Sequence, residues 1–303
     1  MIFIYALKDK YENQIVLFFK LFISFYAIWF VLQKDFDLII PKKDFFLLFL
    51  ILSIFSLVNW WLEIKKWQFL SRQVQDTDFK TAFKQSLVSF SLALLTPNRV
   101  GEYGAKAIFY PKSERKKILG LNLLGNTTQL LTTVFFGIVS FIFLVSLNKN
   151  DFLSIKYLSN KNLFYLLIIL LFSLGLYFFI YKKFNFSEIF AQNVFLKSFG
   201  FSILRYLTFS TQFFLLYFIL HPASDFLMVF MAIYLSYFLS ALIPVLIFTD
   251  WAVKGSVSLW VFTKLGLISF NLLKIVGFMW IFNFLIPFFL GVILLWFPKI
   301  FSK

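Results

Sequence analysis

Long runs of apolar residues dominate this sequence, and short polar segments separate them. An α-helix needs roughly 20 apolar residues to cross a hydrocarbon layer about 30 Å thick. The pattern therefore predicts an all-α, polytopic integral membrane protein with about seven to nine membrane helices. The clearest predicted spans are residues 15–32, 45–62, 119–147, 163–181, 198–220 and 275–297.

One apolar run, residues 86–96, is too short to cross a membrane and ends at Pro97. It would form only about 16 Å of helix at 1.5 Å per residue, and the proline disfavours helical backbone at the residue before it. Basic segments flank the run at residues 63–84 and 111–117, and such segments concentrate on the cytoplasmic side of membranes. Because both flanks are expected on one side, the sequence predicts a re-entrant hairpin that turns back within the membrane.

A second break in the later half of the chain resembles the first. Residues 92–97 (LALLTP) correspond to residues 239–244 (LSALIP). A few residues later, each half has an acidic, an aromatic, a small, a variable and a lysine residue in the same order, at Glu102–Lys106 and Asp250–Lys254. The similarity indicates a degenerate internal repeat of about half the chain.

This repeat predicts how the chain is organised. A single transmembrane domain, residues 1–303, would contain a first repeat unit at residues 1–147 and a second at residues 163–297. Because the first unit would cross the membrane an odd number of times, the second would enter from the opposite face as an inverted repeat. The expected structural breaks are Pro97, Gly101, Gly104 and Pro244.

Composition and charge narrow the class of protein. Hydrophobic residues make up 61% of the chain and charged residues 14%, whereas soluble domains average about 45–50% and about 25%. These values exclude a soluble enzyme, a nucleic-acid-binding protein and a disordered regulator. The net charge of +15 instead fits basic cytoplasmic loops facing anionic lipid headgroups. The sequence has no cysteine and one histidine, so we expect no thiol chemistry, no metal site and no cofactor.

Two acid–lysine pairs follow the predicted breaks and are candidates for substrate binding. Glu102 with Lys106, and Asp250 with Lys254, have the i,i+4 spacing that brings side chains together on a helix. Such pairs also occur on exposed helix surfaces, where they contribute little. At membrane depth, however, an ionised group costs at least about 2.5–3.5 kcal/mol unless it is paired or hydrated. The repeated occurrence therefore favours a polar site.

Other polar side chains within apolar helices extend this set. Asn122, Asn126, Gln129 and Thr133 form one stripe on a predicted span, which fits either hydrogen bonding between helices or a cavity wall. Arg205 is predicted close to the start of its span, where a site role competes with snorkelling to the membrane surface. The complete candidate set for substrate binding is Arg99, Glu102, Lys106, Asn126, Gln129, Arg205, Asp250 and Lys254.

Two D-x-D triplets, residues 35–37 and 76–78, offer an alternative function. This short pattern binds metal–phosphate groups in glycosyltransferases, and Asp35 with Asp37 would lie in a loop outside the membrane. A polytopic membrane glycosyltransferase that uses a lipid-linked donor is therefore one alternative, and turn carboxylates without a catalytic role are the simpler explanation. A non-catalytic partner subunit of another membrane protein is a further alternative.

The run at residues 95–106 (LTPNRVGEYGAK) resembles the TP-x-R-x-GE signature of the lysylphosphatidylglycerol synthase/flippase transmembrane family, which is polytopic and occurs in bacteria and archaea. Lys65, Lys66 and Trp67 before the run, and the basic loop after it, fit the same resemblance. Members often have a glycine-rich, glutamate-bearing segment after the second proline. Here that place is taken by residues 245–250 (VLIFTD).

The resemblance implies a stand-alone, flippase-like membrane domain without a synthase domain or enzymatic activity. It would move an anionic or aminoacylated phospholipid, or another lipid-linked headgroup, between the leaflets of a bacterial plasma membrane. Arg99 and Lys106 would hold a phosphate, and Glu102 and Asp250 would receive a cationic group. The expected partners are the lipid substrate and the membrane, without nucleic acid, and a homo-oligomer is compatible with these features.

Overall fold

The computed structural model describes residues 42–94, 100–147, 191–243 and 249–295, and every regular element in these ranges is helical. In chain order the helices are α1 (Lys42–Ser71), α2 (Phe79–Leu94), α3 (Val100–Ile108), α4 (Arg115–Ser146), α5 (Gln192–Leu220), α6 (Phe226–Ala241), α7 (Asp250–Lys264), α8 (Leu272–Trp280) and α9 (Ile286–Leu295). A π-helical segment, Ile281–Leu285, joins α8 to α9. Among the predictions that fall outside the described residues are the spans 15–32 and 163–181, and Asp35, Asp37, Pro97, Arg99 and Pro244.

Four stretches of the described chain are long and apolar enough to cross a membrane: Asp44–Ser71, Arg115–Ser146, Gln192–Leu220 and Leu272–Leu295. Large apolar side chains such as Phe46 remain exposed on these helices, and only a nonpolar surrounding such as lipid stabilises a surface of this kind. An α-helical membrane protein is therefore confirmed. The count of about seven to nine membrane helices stays a prediction.

Several helix boundaries differ from the sequence prediction. α1 continues to Ser71 instead of ending at Leu62, so only residues 72–78 of the predicted basic loop 63–84 form the connection to α2. α5 begins at Gln192 rather than at residue 198. At α1, polar residues beyond the predicted end, such as Lys66, are buried inside the bundle, whereas the sequence pattern had placed them at the membrane surface. The polar residues that α5 adds, Gln192, Asn193 and Lys197, are exposed.

Buried side chains form separate clusters towards the two ends of the bundle. The first cluster joins the end of α1, the start of α2, the end of α3 and the starts of α4 and α5, through residues that include Trp67, Ala82, Tyr110, Ile118 and Val194. We call this region the first end, and it carries connections 72–78 and 109–114.

The second end carries the connections at residues 221–225 and 265–271. The Tyr217 hydroxyl donates to the carbonyl of Ile268 at 2.9 Å, and a ring nitrogen of His221 lies 3.0 Å from the carbonyl of Phe270. These contacts tie the end of α5 to the α7–α8 connection. The larger core cluster extends to this end and includes Leu48, Leu144, Tyr217, Phe262 and Leu272.

The helix pairs on either side of each break pack together. α2 contacts α3 and α6 contacts α7, whereas α4 crosses α6 and α9 crosses α2. Both crossings are close: a β-carbon at Gly137 would overlap the Phe238 side chain, and one at Gly291 would overlap Ser91 and the backbone of Leu87. α1 and α5 also pack against each other.

Candidate functional site

A cavity of about 580 Å³ lies in the middle of this bundle, and every helix except α9 contributes to its wall. Its polar wall residues lie near the middle of α1, α4 and α5, between the two end clusters. Seven of the eight predicted binding residues line this cavity, namely Glu102, Lys106, Asn126, Gln129, Arg205, Asp250 and Lys254. The eighth, Arg99, lies outside the described residues. The structure therefore brings residues that follow the two breaks to one place.

The first acid–lysine pair is buried on α3, with Glu102 in its first turn and Lys106 in its last. Lys106 Nζ donates to Glu102 Oε1 at 2.9 Å and to Asn122 Oδ1 at 2.9 Å, and it lies 4.4 Å from the centre of a Trp67 ring. An ammonium group has three N–H donors, and two of them are engaged here. A phosphate bound to Lys106 would have only the third donor available unless it displaced one of these protein contacts. Gly101 and Gly104, which we expected at the break, lie inside α3.

The second pair repeats this geometry at the start of α7. Lys254 Nζ donates to Asp250 Oδ2 at 2.7 Å, and the lysine and aspartate side chains are 33% and 19% exposed. Each acid stands in the first turn of its helix, where the positive end of the helix dipole stabilises a carboxylate. The more exposed second pair can exchange contacts with water or a ligand at lower cost.

A third ion pair in the cavity wall joins α1 to α5. Arg205 Nη1 donates to Glu63 Oε2 at 2.7 Å, and Lys66 Nζ lies 3.1 Å from the same oxygen. Lys66 is buried and also donates to the carbonyl of Gly125 at 3.4 Å. Arg205 therefore has a protein partner near the middle of its helix, which favours a site role over snorkelling at a helix start.

A chain of amide hydrogen bonds continues from this ion pair. Arg205 Nε donates to Asn59 Oδ1 at 3.0 Å, Asn59 Nδ2 to Asn283 Oδ1 at 2.8 Å, and Asn283 Nδ2 to Gln212 Oε1 at 2.9 Å. Buried amides need such partners because an unmade hydrogen bond in an apolar interior is costly. The network connects α1, α5 and the π-helical segment around the cavity.

The π-helical segment is explained in part by Pro287, which lies in the first turn of α9. A proline has no N–H, so it cannot donate to the carbonyl four residues earlier. That carbonyl belongs to Asn283, and it accepts a hydrogen bond from Trp60 Nε1 at 2.9 Å. Both the side chain and the backbone of Asn283 are thereby bound to α1.

Sequence reasoning missed Asn59, Glu63 and Asn283 as site residues. A signal existed for the first two: Ser56, Asn59, Glu63 and Lys66 have the spacing i, i+3, i+7, i+10, which is one face of a helix. Ending the predicted span at Leu62 divided this face between a span and a loop. For Asn283, a single asparagine in an apolar run gave no comparable pattern.

The polar stripe on α4 divides between the cavity wall and a neighbouring contact. Asn126, Gln129 and Thr133 line the cavity, and Asn126 Nδ2 donates to the hydroxyl of Tyr103 at 2.8 Å. Asn122 instead accepts the hydrogen bond from Lys106. Both explanations offered by the sequence, a cavity wall and interhelical hydrogen bonding, therefore apply to different residues of the stripe.

Aromatic side chains form much of the remaining wall. They are Trp60, Phe90, Tyr206, Phe209, Phe213, Tyr237, Trp251, Trp280 and Phe284. The aliphatic contribution within the described chain is small and contains no leucine; it consists of Ala241, Ile243, Val276 and Met279. The described wall of the cavity is therefore made of aromatic rings, amides and ion pairs, with few aliphatic groups.

Comparison of the chain with protein-family models, with curated proteins and with solved structures finds no match in any of the three. The resemblance carried by residues 95–106 therefore stays a prediction.

The D-x-D triplet that the structure describes has local structural contacts. Asp78 Oδ1 accepts the backbone N–H of Thr81 at 2.9 Å and so caps the start of α2, and hydrogen bonds from Thr81 hold the pKa of Asp78 below its usual range. Asp76 lies 3.5 Å from Arg72 Nε and is almost fully exposed. These contacts fit turn carboxylates. The other triplet, at residues 35–37, lies outside the described residues.

Proposed function

We propose that this protein is a flippase-like transporter that moves the headgroup of a phospholipid or of another lipid-linked molecule between the two leaflets of a membrane. The observation that supports this most directly is the cavity: a polar space surrounded by helices that are long and apolar enough to span a bilayer. A headgroup needs such a polar path, whereas the acyl chains can remain in the lipid.

The size and the wall of the cavity agree with a headgroup as cargo. Pockets for small molecules have volumes of about 300–1,000 Å³, and this cavity has about 580 Å³. Ionisable residues at membrane depth are rare, face protein interiors or water, and mark transport pathways in many membrane proteins. Here the three acids Glu63, Glu102 and Asp250 and three bases line one space.

The packing of the helices supports an inverted repeat as the basis of transport. Exchanging α1 with α5, α2 with α6, α3 with α7 and α4 with α8–α9 converts the observed contacts into one another, including the crossings α4–α6 and α9–α2. The connections that flank α2–α3 lie at the first end, and those that flank α6–α7 lie at the second. Transporters built from inverted repeats open to alternate sides by rocking one part against the other.

The distribution of basic residues supports an orientation in which the first end faces the cytoplasm of a bacterium. The first end and its adjoining turns carry many basic residues, including Arg72, Lys80, Lys84, Lys112, Arg115, Lys116 and Lys117. Short segments rich in lysine and arginine are retained on the cytoplasmic side. Anionic lipid headgroups on that side attract them further.

Translocation by purified protein in lipid vesicles tests this function. Replacing the acids of both pairs together, Glu102→Gln with Asp250→Asn, keeps the side-chain shapes but leaves Lys106 and Lys254 without a carboxylate partner. We expect the rate of movement of fluorescent lipids between leaflets to fall at least about tenfold, which corresponds to 1.4 kcal/mol.

The matched control is Asp44→Asn with Asp76→Asn, which removes the same number of carboxylates outside the cavity wall. It is expected to transport at the rate of the unchanged protein. If the cavity variant transports as fast as this control, the proposed role of the two pairs is wrong. If the unchanged protein does not exceed empty vesicles with any lipid, transport itself is contradicted, and a partner-subunit role is favoured.

A further inference from the structure

We infer that the cargo is a neutral sugar headgroup on a lipid, rather than the charged headgroup of a phospholipid. This inference rests on the proposed transport function and names the substrate class of the same cavity. Three features of the wall support it: its charges are already paired, its apolar part is aromatic, and hydrogen-bonding groups suited to hydroxyls remain.

Each charged wall residue that the structure describes is paired with a wall residue of opposite charge. Glu63 binds Arg205, Glu102 binds Lys106, and Asp250 binds Lys254, all at 2.7–2.9 Å. An anionic phosphate or a cationic amine would either separate one of these pairs or add a further charge to a wall in which the described acids and bases balance. A buried charge without its partner is strongly unfavourable. A neutral ligand enters without this cost.

The apolar part of the wall suits a sugar ring better than an acyl chain. One face of a pyranose exposes C–H groups, which pack on the negatively polarised faces of aromatic rings. Trp60, Trp251 and Trp280 are all part of the wall. A second, smaller cavity near the second end shows the contrast, because aliphatic residues such as Leu48, Leu52 and Leu216 contribute much of its wall.

Acceptors and donors for hydroxyl groups remain next to these rings. Each carboxylate has two oxygens with about four acceptor sites. Lys254 binds Oδ2 of Asp250 and Lys106 binds Oε1 of Glu102. In each pair the lysine occupies one carboxylate oxygen, and the other oxygen is of a type that accepts hydrogen bonds from hydroxyls. The side chains of Asn126 and Gln129 are also in the wall, so paired acids and amides surround the space with groups that can bind several hydroxyls at once.

A transport assay with three fluorescent lipids tests the headgroup class. Vesicles containing the protein would receive a monoglucosyl diacylglycerol, a phosphatidylglycerol or a phosphatidylethanolamine with the same labelled acyl chain. We expect the glucosyl lipid to change leaflets at least about tenfold faster than either phospholipid. A phospholipid that moves as fast as the glucosyl lipid would overturn the sugar assignment and leave the transport function in place.

Binding of soluble headgroups separates this inference from the transport proposal. Millimolar methyl β-glucoside is expected to change tryptophan fluorescence and raise the unfolding temperature of the protein in detergent, whereas glycerol 3-phosphate and phosphoethanolamine do not. If the sugar binds but no lipid moves, the sugar site stands and the transport function is wrong. If either phosphate compound binds and the sugar does not, the sugar assignment is wrong.

Two tryptophans of α7 provide matched variants for both assays. Trp251 lines the cavity, whereas Trp260 does not and is 47% exposed. Trp251→Leu is expected to reduce binding of methyl β-glucoside and transport of the glucosyl lipid about fivefold to tenfold, because a ring face is lost. Trp260→Leu should leave both unchanged. Equal effects of the two variants would contradict the stacking role of Trp251.

Discussion

At the scale of single residues, Glu63 joins two basic side chains in the interior of the described bundle. The Glu63 carboxylate forms ion pairs with Arg205 of α5 and with Lys66 of its own helix. Arg205 also donates a hydrogen bond to Asn59. Removing one partner from a buried ion pair typically destabilises a protein by about 3–5 kcal/mol, because the other charge stays buried. Removing both partners together costs less.

A double-mutant cycle on Glu63→Gln and Arg205→Gln measures this connection. We expect a coupling free energy of about 1–3 kcal/mol, because residues of one network are not independent. The measurement is the free energy of unfolding of the four proteins in detergent. The exposed pair Arg72 and Asp76, treated in the same way, should couple by less than about 1 kcal/mol. Equal coupling in the two cycles would contradict a structural role for the inner pair.

Which site residues could be predicted depended on the distance between partners along the chain. Glu102 with Lys106 and Asp250 with Lys254 are local pairs, so their spacing was visible in the sequence. The partner of Glu63 lies 142 residues away, and no spacing rule connects such positions. Without that partner, Glu63 resembled the charged end of a span, and α1 was predicted to end one residue before it.

At the scale of helices, two glycines permit the crossings that hold the halves together. Gly137 on α4 lies against Phe238 of α6, and Gly291 on α9 lies against Ser91 of α2. Hydroxyls add to both crossings, since Ser140 donates to the carbonyl of Met231 and Ser91 to the carbonyl of Phe288. Small residues that let helix backbones approach are typical of membrane helix pairs.

Gly137→Ala and Gly291→Ala are each expected to lower stability by about 1–3 kcal/mol, because the added methyl group overlaps the neighbouring helix. Thermal unfolding in detergent measures the change. The controls are Gly200→Ala and Gly277→Ala, where an added β-carbon meets nothing within 4 Å. They should be neutral or slightly stabilising, since alanine favours helix over glycine. A loss of stability in the controls as large as in the crossings would contradict this explanation.

The sequence predicted the existence of a short helix before the first break better than its extent. α2 has 16 residues, which agrees with a helix too short to span a bilayer comfortably, and α6 has the same length. However, α2 begins at Phe79, earlier than the predicted residue 86, because Lys80 and Lys84 were taken as loop residues. Lysines at the membrane surface can belong to a helix when their charged ends reach water. The apolar pattern alone therefore underestimated the length of α2.

At the scale of the whole molecule, the two ends are expected on opposite sides of the membrane. The chain lacks cysteine, so single cysteines can report the side of each connection without a background signal. Gln73→Cys and Ser113→Cys mark the first end, and Ala223→Cys and Ser269→Cys mark the second. The first two should react with a membrane-impermeant maleimide only after the cytoplasmic face is opened, and the last two in intact cells.

Reaction of all four cysteines from one side would contradict the proposed inverted repeat. Reaction of each pair from the side opposite to that expected would preserve the repeat and reverse its orientation. Leu57→Cys provides the control, because Leu57 is exposed on the outer surface of the bundle. Lipid should protect this cysteine from the reagent both in intact cells and after the cytoplasmic face is opened.

The π-helical segment Ile281–Leu285 sets the rotation of everything that follows it. A π turn contains about one residue more than an α turn, and one residue corresponds to about 100° of rotation about the helix axis. Before this segment ends, Asn283 faces the amide network; after it, Gly291 faces α2. Deleting one residue here would rotate the following helix relative to the preceding one. Either Asn283 could keep its contact with the amide network or Gly291 could keep its contact with α2, but not both. Insertions and deletions should therefore be far less tolerated in this segment than in the connections at either end.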